Sequence, residues 1–291
     1  MFTILGATGK IGGAAARELR TRGKPVRAVV RNAGKAEALR QLGCEIAVAE
    51  YHDASALSAA LSGSSAVLAL CPMNQRAADA MDHHGRIIDA IAAAIEQTKP
   101  GAVIAISDYG AHEELEGSIT SIFRLFEQRL RTVSASTTIL RSAEHMQNWS
   151  RLFSGVQKSG VLPLFHGPAT RRIPMVSAPD VGRIAADLLL DAEPGSPDRI
   201  VHAEGPARYS TTDLLETMSQ VIDRRGAPMV VPEANWTAAL TAAGLSESYA
   251  SLVAGMYAAN NAGRIDVGPD SDEVRRGTTS LREAFAALPA R

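Results

Sequence analysis

A doubly wound, parallel α/β sheet with a smaller, mainly helical C-terminal part is the fold class this sequence predicts. Three observations predict it. Over the first 140 residues, short apolar runs alternate with helical patterns. Three glycines, Gly6, Gly9 and Gly12, mark the passage from the first run into the first helix. After Arg141 the alternation gives way to stretches of weak period. Runs that are apolar throughout belong to strands covered on both faces, as in a parallel sheet. Right-handed crossovers leave few topologies, and the doubly wound one is the commonest for six such strands.

The elements follow in order. Phe2–Leu5 is the first strand, and an Ala-rich helix after it ends at Gly23, a left-handed cap. Val26–Val30 is the second strand and Lys35–Leu42 a short helix. Ile46–Ala49 is the third strand, followed by Asp53 as the cap of a helix around Leu57–Leu61. Ala66–Leu70 is the fourth strand, with a long helix through Arg86–Ile95; Ala102–Ile106 is the fifth. Ile119, Ile122, Phe123, Phe126, Leu130 and Val133 share one helical face, and Thr137–Leu140 is the sixth strand. Residues 142–175 show little period. Asp180–Leu190 reads as a helix capped by Asp180, Ile200–Ala203 as a strand, and Thr211–Gly226 as a helix capped by Thr211 or Thr212. Two helical patches occupy 234–263, and Leu281–Leu288 follows Thr279 and Ser280 as cap candidates. The predicted division is a dinucleotide domain over 1–145, to which 176–205 returns. A smaller substrate-binding part comprises 146–175 and 206–291.

Composition narrows the function. Thirty basic residues balance thirty-one acidic ones, so no field of one sign favours nucleic acid or an anionic membrane surface. No stretch reaches the ~18–20 apolar residues of a membrane helix. The chain enters its first strand directly, without a signal-peptide pattern. Cys44 and Cys71 lie far apart and read as small buried hydrophobes in a reducing compartment. The expectation is a cytoplasmic protein. Nothing in the sequence bears on its oligomeric state.

In a strand-glycine loop-helix unit each glycine has a task. Gly6 permits the tight turn, Gly9 lets backbone N–H groups approach a pyrophosphate, and Gly12 lets helix and strand pack closely. The phosphates then sit at the positive end of the helix. An NAD site usually carries Asp or Glu at the end of the second strand. Here that strand ends in Arg31-Asn32, with Lys35 following. A guanidinium suits a 2′-phosphate, so the expected cofactor is NADP (NADPH), with Thr8 and Lys10 adding to the pocket.

The segments G-A-T-G-K-I-G (Gly6–Gly12), Arg31, Ile104–Ser107 and Thr138–Arg141 together resemble the NmrA-like family, atypical relatives of the short-chain dehydrogenase/reductases. Glu127, His145-Met-Gln-Asn148, Val176–Gly182 and Val201–Gly205 extend the likeness over nearly the whole chain. The resemblance implies a Rossmann domain holding NADP through Gly6, Thr8, Gly9, Lys10, Ile11, Gly12, Arg31 and Lys35. It implies a small-molecule acceptor in the interdomain cleft. It also implies that His52 and Asp53 lie near the adenine, that Cys71-Pro72-Met73 pass the cofactor, and that Ser107-Asp108-Tyr109 and Arg141–Met146 line the nicotinamide side.

Standard reductases of that superfamily use Tyr-x-x-x-Lys to protonate the substrate oxygen. No tyrosine here precedes a lysine by four residues. With Glu127 aligned, those positions hold Ile119 and Phe123, which transfer no proton. The favoured reading is an NADPH-dependent oxidoreductase acting on a quinone-like or other small acceptor, whose aromatising product needs less help from an acid. Tyr109 and His145 are its candidate donors, each with a structural role as the competing reading. Ser107 either holds the nicotinamide amide or ends a strand. The alternative is a non-catalytic NADP(H)-binding redox sensor acting through a protein partner. No metal site is expected: His83-His84 point in different directions and read as solvated, and Asp79, Asp82 and Asp89 match no standard spacing. Asp270–Arg276 reads as a solvated loop.

Overall fold

The computed structural model describes residues 1–270 and 273–288. The first half delivers strands and helices in strict alternation. These are β1 (Phe2–Ile4), α1 (Lys10–Thr21), β2 (Val26–Val30), α2 (Glu37–Gln41), β3 (Glu45–Val48), α3 (Ala54–Leu61), β4 (Ala66–Ala69), α4 (Ala80–Thr98), β5 (Ala102–Asp108), α5 (Thr120–Leu130) and β6 (Ser136–Ser142). The second half adds β7 (Glu144–His145), a 3₁₀ segment (Met146–Leu152), α6 (Phe153–Ser159), β8 (Val161–Leu164), β9 (Ile173–Val176), α7 (Ala178–Leu190) and β10 (Arg199–Glu204). It ends with β11 (Arg208–Tyr209), α8 (Thr211–Ile222), β12 (Ala227–Val230), α9 (Trp236–Ala242), α10 (Glu247–Asn261), β13 (Val274–Arg276) and α11 (Leu281–Ala286).

The main sheet has eight strands in the order β3-β2-β1-β4-β5-β6-β10-β13, every neighbour parallel. This is the α/β, Rossmann-type doubly wound sheet the sequence predicts. Its order reverses between β1 and β4, where ligands bind beyond the carboxyl ends of the strands. Alternate side chains sort to the two faces. Ile4, Ile104 and Ile106 pack with Ala15, Leu19, Val181 and Leu188 of α1 and α7. Leu5, Val103 and Ala105 pack with Leu57, Ile88, Ile91 and Phe126 of α3, α4 and α5, and with Leu252 of α10. A third cluster gathers Met146, Trp149, Leu162, Met175, Leu214 and Phe285 beside two small sheets, β11-β9-β7 and β12-β8.

Several local expectations change. Asp180 does not cap α7; the cap is Ser177, and Asp180 lies buried in the first turn, accepting from Thr279 N at 2.9 Å. Ser210, in a reciprocal box with Asp213, caps α8 instead of Thr211 or Thr212. Part of the stretch read as a solvated loop becomes β13, the edge strand beside β10, while residues 271 and 272 lie outside the described residues. Its charges mislead because they answer buried partners: Asp270 pairs with Arg141 and Arg276 with Glu204. β13 thus joins the large sheet, although the sequence assigns 206–291 to the smaller part. No helix among the described residues is long and apolar enough to cross a membrane.

Candidate functional site

The loop from β1 to α1 shows what its glycines do. Gly6 has φ +64°, a left-handed conformation that favours glycine. A Cβ on Gly12 would stand 2.5 Å from the Gly6 carbonyl oxygen, so only glycine lets α1 approach the loop. Gly9 stands at the helix N-cap in extended conformation with no side chain capping the first turn. The first-turn N–H groups of an α-helix lack intrahelical acceptors and carry its positive end. Beside the loop runs a groove of about 510 Å³, whose lining includes Thr8, Lys10, Arg17, Lys35 and Arg183. Four of these are cations, which suits a polyanion. Arg31 is exposed just past β2, and Lys35 ends a short 3₁₀ turn that Asn32 caps by accepting from Gly34 N at 2.8 Å.

Tyr51 belongs to no motif that marks it in the sequence. It is buried, and its hydroxyl has no well-formed hydrogen bond among the described residues. Burial pushes that hydroxyl's pKa up, with the Gly6 backbone and the Arg31 charge acting against the rise. An orphaned buried hydroxyl beside the glycine loop fits a site completed by a ligand. The neighbouring Asp53 is occupied as the cap of α3, accepting from Ala56 N at 2.9 Å. Cys71 is buried, its thiol pushed up to about 12 by desolvation, and Pro72 and Met73 are half-buried beyond it.

At the carboxyl ends of β5 and β6 the predicted residues separate into two groups. Ser107 turns into the interior and donates to Glu127 at 2.6 Å. Arg141, also buried, forks onto Glu127 at 2.8 and 2.7 Å and reaches Asp270 at 2.7 Å. Tyr109 is 1% exposed, donates to Glu204 at 3.3 Å and packs edge-on against His202. Glu204 is further held by Arg208 and Arg276. Burial and Glu204 push the Tyr109 hydroxyl upward, and its hydrogen is directed at Glu204. His145 is pushed down to about 4 by burial, with Glu144 opposing and Lys10 adding to the shift. Its Nε2 lies 3.1 Å from Ser142 Oγ.

Asp108 alone forms the second group, outside that network. Asp108, the last residue of β5, retains partial exposure, unlike the rest of its strand. Next to β7, His166 Nε2 stands 3.5 Å from Glu144. Phe165 and Tyr257 stack at 5.0 Å and 11°, His166 meets Tyr257 edge-on at 4.8 Å, and Trp149 lies 5.6 Å from His166. The Trp149 indole N–H is buried without a partner among the described residues. The sequence carries no signal for this cluster, because its members come from three separated segments. Among the described residues, no group of three or more His, Cys, Asp or Glu side chains is placed to hold a metal. His83-His84 also differ from expectation: His84 is fully buried, donating to Ala80 O at 2.6 Å and accepting from Asn74 N at 2.9 Å.

The NmrA-like family matches residues 1–274. The sequence is 25% identical to quinone oxidoreductase 2 of Escherichia coli (strain K12), over 99% of this chain and 98% of that one. It is 23% identical to an NAD(P)H azoreductase of Xenophilus azovorans, over 89% of this chain and 86% of that one. The fold superposes on the NADPH complex of the E. coli quinone oxidoreductase with TM-score 0.81, at 21% identity over 98% of each chain. It superposes on the NADP(H) complex of Citrobacter sp. triphenylmethane reductase with TM-score 0.79, at 21% identity over 98% of this chain and 99% of that one.

Proposed function

Since the chain belongs to the NmrA-like family, we propose that it is an NADPH-dependent reductase of a small, planar, quinone-like acceptor. The observation that carries the reading is the glycine cradle at the head of α1, flanked by Arg31 and Lys35 where an NAD site would place a carboxylate. The relatives named for NAD(P)H-dependent reduction support it. The backbone of Gly6–Gly12 would hold the pyrophosphate, and Thr8, Lys10, Arg31 and Lys35 would hold the 2′-phosphate. Tyr51 would contribute to the adenosine half of the site, and Cys71-Pro72-Met73 would line the dinucleotide's path. When bound, the dinucleotide supplies a hydride. The chain's own residues align the acceptor and exclude water. Phe165 and Tyr257 offer aromatic faces suited to a planar ring, and the Trp149 N–H is a free donor beside them. On this reading residues 1–145 and 176–205 form most of the nucleotide part, and 146–175 with much of 206–291 forms the acceptor part.

The test mixes purified protein with NADPH and a panel of quinones and aldehydes and follows absorbance of the reduced nicotinamide. Oxidation that disappears in Gly9→Trp, whose side chain would fill the cradle, is the expected result. Tight NADPH binding without turnover on any acceptor replaces the enzyme with a redox sensor.

A further inference from the structure

The reduction of a carbonyl-type acceptor needs a proton as well as a hydride. Along the strand ends the hydroxyl hydrogens are already given away. Ser107 donates to Glu127, Tyr109 to Glu204, and Ser142 to the Ser107 carbonyl at 3.1 Å. The carboxylates of the neighbouring network are matched with arginines: Glu127 and Asp270 with Arg141, Glu204 with Arg208 and Arg276, Asp266 with Arg208. Asp108 is different. Among the described residues its carboxyl has no hydrogen bond and no ion pair, and it is the one side chain of β5 that keeps contact with solvent.

We propose that the Asp108 carboxyl, at the carboxyl end of β5, is the proton donor to the reduced acceptor. This deepens the reductase reading above and rests on it. Burial pushes this carboxyl well above the usual carboxylate range, and the charges of Glu144 from β7 and Glu127 from α5 add to the rise. Glu127 is largely answered by Arg141, so Glu144 is the neighbour whose charge matters more. The Asp108 O–H bond breaks as the acceptor's new O–H bond forms. The two electrons arrive with the hydride from NADPH, and the carboxylate left behind takes a proton from water at its exposed edge. The device parallels carboxylic acids held neutral by apolar surroundings so that they can donate.

Two readouts test it. Infrared titration of the protein without NADPH, wild type minus Asp108→Asn, should show a protonated-carboxyl band persisting at neutral pH, where an ordinary aspartic acid (pKa about 3.9) is ionised. Glu144→Gln should move that titration to lower pH. Asp108→Asn should also cut turnover by about 10²-fold while leaving NADPH affinity unchanged, with the largest loss on acceptors whose product anion is most basic. An ionised Asp108 at neutral pH, or unchanged turnover and pH profile in the variant, overturns the proposal while the reductase reading stands. No NADPH oxidation by the wild type on any acceptor overturns the reductase reading, and this proposal falls with it whatever the infrared result.

Discussion

Arg31 is exposed and makes no hydrogen bond or ion pair among the described residues, so its worth lies in what it binds. A charge-assisted bond to phosphate contributes roughly 1.5–3 kcal/mol, about 10–100-fold in affinity. Arg31→Asp should therefore weaken NADPH by at least about tenfold and spare or improve NADH, as read by calorimetry; equal nucleotide affinities in the wild type defeat the assignment. The proposed role of this residue can be read in the sequence because it depends on a position, the end of the second strand. That of Tyr51 cannot, because it depends on a partner the hydroxyl lacks among the described residues; family resemblance places Asp108 on the nicotinamide side, but nothing in the sequence marks its carboxyl as unmatched. Arg141 and Glu127 form the opposite case, both matched and both buried. Removing one partner strands the other's charge in the interior, a loss of about 3–5 kcal/mol. Arg141→Met should show this in denaturant melts, with the double variant Arg141→Met/Glu127→Gln recovering part of it.

Between β4 and α4 the chain is pinned from two sides. Asn74 N donates to His84, and Gln75 O accepts from Ser246 N at the head of α10. Ser248 Oγ in turn accepts from Ala80 N, so a helix 168 residues downstream covers the start of α4. That long-range cover is why His84, read as solvated, is buried: local periodicity carries no record of what docks from afar. Both imidazole nitrogens are committed, one donating and one accepting, which requires the neutral ring. Burial lowers the His84 pKa, with His83 and His52 adding to the shift and the Ala80 carbonyl opposing it. The unfolded chain takes up a proton at about pH 6.5 and the native ring does not. The stabilisation is therefore present above that pH and declines as pH falls toward the lower native value. Urea melts across about pH 5 to 7 should show wild-type stability falling with acid more steeply than in His84→Gln. Parallel slopes would remove His84 from the account.

The whole molecule turns on how closely α1 and α7 approach over one face of the sheet. The doubly wound class of the sheet, its first six strands, the glycine loop and most helices were readable because alternation and turn chemistry are local signals. β13, the α10 cover and the aromatic cluster were not, since each arises from segments brought together across the chain. The α1–α7 contact stands between these cases. Gly182 falls in the helical pattern without marking itself as special, yet a Cβ there would lie 2.3 Å from Ile11 O and 2.7 Å from the Ala14 side chain. Backbone has no rotamer with which to give way, so any side chain at 182 must push the helices apart. Because the partner is the first turn of α1, the displacement reaches the N–H groups assigned to the pyrophosphate. Gly182→Val should thus cost about 1–3 kcal/mol or more in stability. It should also weaken NADPH at temperatures where the variant remains folded, although residue 182 itself lies under the helix. A variant that melts early yet binds NADPH with wild-type affinity would show that the helix contact serves stability alone.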